Sequence, residues 1–258
     1  MPPVSFTMSA TDYEASTILS EYLLFHYGDA ERLLPWIDGP SGALDFPLRC
    51  VEKTFDPTLF PPKGGRILDL GCAVGRSTFE LARYGAEVIG IDYSQQFIAA
   101  AMQLAEGKKV AYRIHETGNW FSDAEAEAPE GAAIEKVQFE VGDAHKLRAD
   151  LGSFDLVVAC NLLCRMTEPQ RLLERLNTLV RPGGQLVLTT PHTWLETFTP
   201  PENWLAASKA GRVPTEALAD ALGGDFELVK QVDLPFLIRE HRRKFQWSVA
   251  EGTVWRKG

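Results

Sequence analysis

Glycines and carboxylates that directly follow short apolar runs are the residues of this 258-residue chain best placed to bind a ligand. In the stretch ILDLGCAVGRST, residues 67 to 78, Asp69 and Gly71 end an apolar run and Gly75 precedes a helical pattern. Glycine permits a tight turn and a close approach of the backbone to a ligand, and the N-terminus of the following helix presents free N–H groups. The stretch therefore predicts a ligand-binding loop between a strand and a helix.

The spacing of this loop separates two classes of cofactor. A dinucleotide-binding loop needs glycine at positions 71, 73 and 76, whereas this chain has Gly71, Ala73 and Arg76, so NAD is disfavoured. The pattern D-x-G-x-x-x-G that is present resembles the first motif of class I methyltransferases, which use S-adenosylmethionine. This resemblance implies cofactor-binding roles for Asp69, Gly71, Cys72 and Gly75, with only the backbone of Cys72 required.

Two further carboxylates stand at the ends of the next apolar runs. Asp92 is followed by Tyr93 and Ser94, and Asp143 is followed by Ala144. The carboxyl ends of parallel strands meet at one edge of a doubly wound sheet, where such folds bind ligands. We expect Asp92 to accept hydrogen bonds from the two ribose hydroxyls and Asp143 to accept one from the adenine amino group. A single acidic residue at such a position is more often a turn or helix-cap residue than a ligand-binding one. Three of them at the ends of successive strands, beside the glycine loop, favour the cofactor site.

The elements that position these residues alternate between β-branched runs and helical patterns from residue 66 onward, which indicates an α/β fold. Predicted strands are Arg66 to Leu70, Glu87 to Ile91, Val137 to Val141, Phe154 to Ala159 and Gln185 to Thr190. Predicted helices are Ser77 to Tyr84, Ser94 to Glu106 and Glu168 to Val180. Two longer strands, Phe226 to Val232 and Phe245 to Trp255, complete a doubly wound, mostly parallel, seven-stranded Rossmann-like sheet.

We expect a single methyltransferase domain over residues 1–258, in three parts. Residues 1–60 are predicted to form an N-terminal helical cap, and residues 61–195 the cofactor-binding core. Residues 196–258 are predicted to supply a substrate-side segment and the closing strands. The acidic, small-residue stretch within 112–136 is expected to be an exposed insertion.

Composition excludes several classes of function. The 35 acidic and 26 basic residues give a net charge of −9, which argues against nucleic acid as the main partner. The chain has no apolar run of about 20 residues and no basic-then-apolar start, so we expect no membrane association and a cytoplasmic location. The cysteines Cys50, Cys72, Cys160 and Cys164 show neither C-x-x-C pairs nor nearby histidines at zinc spacing, so no metal site is expected.

Five segments outside the glycine loop resemble the methyltransferase of ovothiol biosynthesis. They are EYLLFHYGD (21–29), LDFPLRCVEKTF (44–55), CNLLCRM (160–166), LTTPHTWLETFTPPENWL (188–205) and FLIREHRRKFQWSVAEGTVW (236–255). Members of that family methylate an imidazole nitrogen of 4-mercaptohistidine, often as the C-terminal part of an enzyme whose other part is an iron-dependent sulfoxide synthase. The resemblance implies S-adenosylmethionine as cofactor, a small amino-acid substrate, and functional pairing with a sulfoxide synthase.

An amino-acid substrate needs a cation for its carboxylate and a ring nitrogen that is kept unprotonated. His192 and Asn161, which follow the fifth and fourth predicted strands, and Tyr27 of the cap are the catalytic candidates; Asn161 also stands at the cofactor edge. Arg49 is the candidate for the cofactor carboxylate. The substrate-binding candidates are Tyr22, His26, Arg165, Trp194, His241, Arg243 and Trp247. We expect the basic run 239–244 to supply the carboxylate-binding arginine if it folds over the cleft, although such a run is also typical of a solvated connection between strands.

Two alternatives stay open. The core motifs are equally compatible with a methyltransferase for another small amine or thiol, and only the flanking segments favour 4-mercaptohistidine. A cofactor-binding protein without turnover is the alternative from another class; the polar and aromatic residues at the predicted substrate edge argue against it.

Overall fold

A seven-stranded sheet is the centre of the computed structural model, which describes residues 16–61, 64–205 and 214–258. The strands are β1 (Arg66–Leu70), β2 (Glu87–Asp92), β3 (Val110–Thr117), β4 (Trp120–Ala126), β5 (Val137–Val141), β6 (Phe154–Cys160), β7 (Val180–Thr190), β8 (Phe226–His241) and β9 (Lys244–Lys257). The sheet order is β5-β2-β1-β6-β7-β9-β8, and β3 pairs only with β4. The β9 strand is antiparallel to β7 and β8, and the other pairs of the sheet are parallel. The predicted doubly wound, mostly parallel sheet is therefore confirmed.

Helices cover both faces of this sheet. They are α1 (Ser16–Tyr27), α2 (Ala30–Leu33), α3 (Phe46–Glu52), α4 (Arg76–Ala82), α5 (Gln95–Ala105), α6 (Pro169–Leu179) and α7 (Pro214–Leu222). Ser94 caps α5, since its hydroxyl accepts a hydrogen bond of 3.2 Å from the N–H of Phe97. The helical cap is present over the described residues from 16 onward; its predicted part before residue 16, and residues 206–213 of the C-terminal segment, lie outside the described residues. Of the described helices, none is long and apolar enough to span a membrane.

The packing of α6 shows why the sequence pattern predicts this fold. Leu172, Leu173, Leu176 and Leu179 recur at helical spacing and are each at most 1% exposed. They pack against the strand residues of the sheet, and each buried leucine stabilises the fold by about 1.5–3 kcal/mol. One face of α6 therefore fixes the connection between β6 and β7.

The β3–β4 hairpin contradicts the expectation of an exposed insertion for residues 112–126. Tyr112 and Ile114 of β3, and Ala124 and Ala126 of β4, are buried in a cluster that includes residues of α1 and α5. Alternate residues of β3 are buried, which is the period-two pattern of a half-buried strand. The acidic composition of the stretch hides this pattern, because most of its charged residues occupy the other face, whereas Glu116 lies on the buried face.

The C-terminal strands are longer than predicted. The strand predicted to end at Val232 continues through Pro235 to His241 in β8. A proline is unfavourable inside a central strand, so the sequence favours an earlier end. Because β8 is the edge strand of the sheet, a proline is tolerated there without loss of an interior ladder hydrogen bond. The long β8–β9 hairpin extends past the sheet to α1, α3 and β3.

Candidate active site

A cleft of about 410 Å³ lies at the carboxyl ends of the parallel strands, within the range typical of small-molecule sites. The loops after β1, β2, β5, β6 and β7 form one wall. Residues of α1, α3 and β8 form the opposite wall. The cap and the closing hairpin therefore cover the edge of the sheet at which the sequence predicts a ligand.

The glycine loop after β1 approaches this cleft with its backbone. Gly71 and Ala73 line the cleft and have φ angles of 70° and 49°, in the left-handed region that favours glycine. A Cβ atom at Gly71 would lie 3.1 Å from Cδ1 of Leu162, which also lines the cleft. The absence of a side chain at Gly71 thus keeps this part of the cleft open.

The other residues of the first motif shape the loop from behind and do not line the cleft. Asp69 is 1% exposed, and its Oδ2 accepts hydrogen bonds of 2.7 Å from the hydroxyls of Ser77 and Thr78. Burial raises the pKa of Asp69 to about 6 in spite of these two hydrogen bonds. Cys72 is buried, and Gly75 has φ 88° with Phe139 packed 2.6 Å from the position of a Cβ. The side chains of Asp69 and Cys72 therefore do not reach the cleft, and these residues act through the shape of the loop.

Asp92 lines the cleft and joins two of its elements. Its Oδ2 accepts a hydrogen bond of 2.9 Å from the N–H of Ala73, and its Oδ1 accepts one of 2.9 Å from the N–H of Ser94. The carboxylate therefore ties the glycine loop to the start of α5. Tyr93 and Ser94 line the cleft beside it, and its contact with a ribose stays a prediction.

Asp143 and Ala144 line the cleft after β5, together with His145, which sequence reasoning missed. Both the backbone N–H and the ring Nδ1 of His145 lie 2.8 Å from Oδ1 of Asp143. Partial burial raises the pKa of Asp143, but the hydrogen bonds from His145 outweigh it and hold the pKa below its ordinary value. The signal in the sequence is local, since a histidine two residues after an aspartate in a turn can reach back to its carboxylate.

Asn161 lines the cleft after β6 in a left-handed conformation with φ 52°. Its backbone N–H donates to the carbonyl of Thr189 at 2.8 Å, and its Oδ1 accepts from the hydroxyl of Thr189 at 3.0 Å. The neighbouring strand β7 thus fixes this side chain next to the glycine loop.

The wall opposite the sheet is aromatic. Phe25, Phe46 and Phe236 line it, with ring centroids 6.0 Å apart for Phe25 and Phe46 and 4.9 Å apart for Phe46 and Phe236. Tyr22 and His26 of α1 line the same wall, with their rings stacked at 5.9 Å. This wall suits a flat ring more than a flexible chain.

His26 of the aromatic wall and Arg165 of the loop after β6 give the cleft a ring nitrogen and a cation. Burial and the nearby charge of Arg76 lower the pKa of His26 to about 3, so this imidazole is neutral. Among the described residues, no group lies within hydrogen-bond distance of its buried Nδ1. Arg165 is the one Arg or Lys of the described residues that lines the cleft, and its Nη1 donates to the carbonyls of Cys164 and Thr193, both at 3.2 Å.

Besides Asp69, Cys72 and Gly75, four further predicted site residues near the sheet edge and the cap lie outside the cleft lining. Nε2 of His192 lies 2.8 Å from Oε2 of Glu251 in the closing hairpin. Tyr27 donates its hydroxyl to the carbonyl of Val74 at 2.7 Å, which anchors α1 to the glycine loop. Arg49 donates to the carbonyls of Leu44 and Pro235, and Trp194 packs against the core. Tyr27 and Arg49 thus hold α1 and α3, the helices that form part of the opposite wall.

The basic run at the β8–β9 turn does not fold over the cleft, and that expectation is wrong. Arg239 is 4% exposed and its Nη2 forms an ion pair of 2.6 Å with Glu116 of β3. The guanidinium of Arg243 lies 4.7 Å from the centre of the Trp36 ring. The predicted substrate residues His241, Arg243 and Trp247 also lie outside the cleft lining. The run instead fastens the hairpin to the cap and to β3.

Within the described residues, no group of three or more His, Cys, Asp or Glu side chains is arranged to hold a metal ion.

Comparison with known sequences agrees with this geometry. Residues 68–188 match a family model described as a methyltransferase domain. Over 155 residues the chain is 29% identical to the ubiquinone biosynthesis O-methyltransferase of Xanthomonas euvesicatoria pv. vesicatoria, covering 59% of this chain and 54% of that protein. It is 27% identical over 128 residues to the protein of the same name from Coxiella burnetii, covering 50% and 44%. The chain thus spans about half the length of the curated relatives that it matches.

Solved structures share the fold along nearly the whole chain. Magnesium protoporphyrin IX methyltransferase from Synechocystis PCC 6803, solved with bound S-adenosylmethionine, superposes with a TM-score of 0.55 at 17% identity, covering 96% of this chain and 94% of that one. The [4+2]-cyclase SpnF superposes with a TM-score of 0.57 at 18% identity and the same coverage. The second protein shows that this fold by itself does not fix the reaction. Residues 68–188 thus match a methyltransferase family model, and the described chain has the fold of these solved structures.

Proposed function

We propose that this chain transfers a methyl group from S-adenosylmethionine to an imidazole ring nitrogen of 4-mercaptohistidine, the N-methylation step of ovothiol biosynthesis. One observation carries the proposal. All five segments that resemble the ovothiol methyltransferases contribute residues to the cleft lining, among them Tyr22, Phe46, Arg165, Phe198 and Phe236. The similarity is therefore concentrated around the place where an acceptor would lie.

The sheet side of the cleft fits a nucleoside cofactor. Gly71 and Ala73 present backbone that a bulky ligand can approach, and Asp92 and Asp143 stand at the ends of neighbouring strands. Ile91 and Phe97 supply apolar surface for the purine. We assign Asp92 to the ribose and Asp143 to the adenine amino group.

When bound, S-adenosylmethionine supplies a methyl group on a positively charged sulfur, so an acceptor nitrogen with a lone pair is a sufficient nucleophile. The chain has to orient that nitrogen and exclude competing water. The aromatic wall of Phe25, Phe46 and Phe236 can hold the flat ring of the substrate in one plane. The neutral imidazole of His26 adds no positive charge beside the sulfonium. We assign Arg165 to the substrate carboxylate, because a guanidinium matches a carboxylate with two parallel hydrogen bonds.

The curated relatives point to a second candidate, O-methylation of a phenol. A phenol has a pKa of about 10 and needs a base before its oxygen attacks. Two histidines of the described residues line the cleft, but His26 is a weak base because its pKa is lowered to about 3, and both ring nitrogens of His145 face other groups. A nitrogen acceptor, which needs no base, suits this cleft better.

The test is an acceptor panel analysed by mass spectrometry. Purified protein and S-adenosylmethionine are incubated separately with 4-mercaptohistidine, histidine and a catechol at equal concentrations. We expect N-methylated mercaptohistidine as the main product. A faster reaction with the catechol would favour the second candidate, and cofactor binding without any methylated product would favour the non-catalytic alternative. The pairing with a sulfoxide synthase remains a prediction from the resemblance.

A further inference from the structure

His145 occupies an unusual place between the cofactor side of the cleft and the loop before α6. Its backbone N–H donates to Oδ1 of Asp143 at 2.8 Å, and its ring Nδ1 lies 2.8 Å from the same oxygen. On the other side of the ring, Nε2 lies 3.2 Å from the backbone nitrogen of Glu168 and 3.2 Å from the hydroxyl of Thr167. The ring therefore bridges the carboxylate and the loop.

These contacts determine which ring nitrogen carries the proton. A backbone N–H can only donate, so Nε2 of His145 must accept the hydrogen bond from Glu168. A neutral imidazole has one N–H, which is consequently on Nδ1 and points to Asp143. The bond from Nδ1 to Oδ1 of Asp143 is thus a donated hydrogen bond to a carboxylate.

Two donors from one residue fix the orientation of this carboxylate. Both hydrogen bonds from His145 reach Oδ1, while Oδ2 of Asp143 makes no hydrogen bond within the described part of the chain. The side chain of His145 is only 19% exposed, compared with 36% for Asp143, so the positioning group is the more buried of the two. Oδ2 is left as the acceptor for a donor group of the ligand.

The far side of the ring is braced as well. Thr167 and Glu168 lie directly before α6, and Asn203 donates its side-chain amide to the carbonyl of Thr167 at 2.9 Å. The position of the Asp143 carboxylate therefore depends, through His145, on the loop before α6.

We propose that His145 is a positioning residue that sets the Asp143 carboxylate to select a purine with a 6-amino group over one with a 6-oxo group. The proposal rests on the assignment of Asp143 to the adenine amino group. A correctly aimed carboxylate oxygen accepts from an amino group and repels a carbonyl oxygen. Without the Nδ1–H bond, the carboxylate can rotate and the selectivity falls.

Calorimetric titration with two cofactor products tests this inference without any methyl acceptor. S-adenosylhomocysteine carries the 6-amino group, and S-inosylhomocysteine carries a 6-oxo group in its place. We expect the wild-type protein to prefer the amino compound by about tenfold to a hundredfold. The substitution His145→Asn places an amide N–H where Nδ1 lies, and His145→Gln places its amide near Nε2.

The two possible roles of His145, positioning Asp143 or bracing the loop before α6, predict opposite purine preferences for His145→Asn and His145→Gln. If His145 positions Asp143, His145→Asn keeps most of the preference, and His145→Gln and His145→Ala lose most of it. If the ring only braces the loop before α6, His145→Gln keeps the preference and His145→Asn loses it, which overturns the proposal. Where the variants do not fold, nitrogen NMR of the wild-type histidine serves instead, and a proton on Nε2 overturns the proposal.

Asp143→Asn separates this proposal from the assignment on which it rests. A wild-type protein that binds both compounds equally contradicts the adenine assignment of Asp143. If Asp143→Asn abolishes the preference for the amino compound and His145→Gln preserves it, the role of His145 is contradicted but the adenine assignment of Asp143 is not. Neither result bears on the identity of the methyl acceptor, because no acceptor is present.

Discussion

At the scale of single residues, the carboxylates at the strand ends divide into those that face the cleft and those that stabilise the loop behind it. Asp92 lines the cleft, whereas Asp69 is buried behind the loop and holds Ser77 and Thr78. Residue type and spacing could place both at strand ends. They could not tell the two roles apart, because the direction of each side chain depends on which hydroxyls the next helix brings near.

We predict that Asp92→Asn weakens the binding of S-adenosylhomocysteine by about 1–3 kcal/mol, since a ribose hydroxyl loses a charged acceptor. Calorimetry gives the affinity, and circular dichroism reports whether the glycine loop and α5 keep their fold. Glu87→Gln, at the opposite end of the same strand, is the matched control and should bind as the wild type does. Unchanged affinity in a folded Asp92→Asn protein would rule out the ribose assignment.

Arg165 and Arg243 provide a matched pair of arginines. Arg165 lines the cleft, and Arg243 lies against Trp36 at the far end of the closing hairpin. We expect Arg165→Ala to raise the KM for 4-mercaptohistidine about tenfold or more, because the substrate carboxylate loses a charge-assisted partner, and Arg243→Ala to leave it unchanged. Steady-state kinetics with both variants checks this, and the opposite ranking would return the carboxylate site to the basic run.

At the scale of elements, the strands of the seven-stranded sheet were predictable, including the pair that closes it, whereas the β3–β4 hairpin and the position of the β8–β9 turn were not. The strand ends follow from local signals, such as the apolar run that ends at Leu70 and the serine that caps α5. The course of the β8–β9 hairpin depends instead on the buried ion pair between Arg239 and Glu116, residues 123 positions apart. No local pattern predicts a contact of that kind, so the sequence alone does not show whether the basic run covers the cleft.

The ion pair between Glu116 and Arg239 should contribute strongly to stability. Glu116→Gln leaves the buried Arg239 without its charge partner, and we expect a loss of about 3 kcal/mol in the free energy of unfolding. Glu125→Gln on the adjacent strand is the control, because its pair with Lys109 is exposed on both sides and such pairs contribute about 0–1 kcal/mol. Urea denaturation of both variants measures the difference, and equal losses would contradict the structural role of the pair.

The contact between α1 and β8 should make stability depend on pH. Burial, and then the carboxylate of Glu240, raise the pKa of Glu21 from 4.5 to about 7. The folded protein therefore holds this proton more tightly than the unfolded chain, so the contribution of Glu21 to stability is present below pH 4.5 and is lost as the pH rises to about 7.

We expect Glu21→Gln to stabilise the protein at pH 8 by about 1–2 kcal/mol, a value that allows for solvent screening of this half-buried group. The difference from the wild type should vanish towards pH 4.5, where the carboxyl is protonated in both states. Urea denaturation at pH 5, 6.5 and 8 follows it. The same pH dependence in the variant and the wild type would show that Glu21 titrates normally.

At the scale of the whole molecule, the cap, the sheet edge and the closing hairpin enclose one cleft from three sides. The cofactor wall consists of loops that the sequence pattern identifies, and the acceptor wall consists of Tyr22, Phe25, His26, Phe46 and Phe236 from distant segments. The chain fold alone brings this second wall together. We therefore expect cofactor and acceptor to meet between these two walls.

A crystal structure with S-adenosylhomocysteine and 4-mercaptohistidine tests this claim most directly. We predict the ribose at Asp92, the adenine amino group at Asp143, the imidazole ring against the aromatic wall with a nitrogen facing the cofactor sulfur, and the substrate carboxylate at Arg165. An acceptor bound outside the cleft, or in it with its ring nitrogens turned away from the sulfur, would contradict the account.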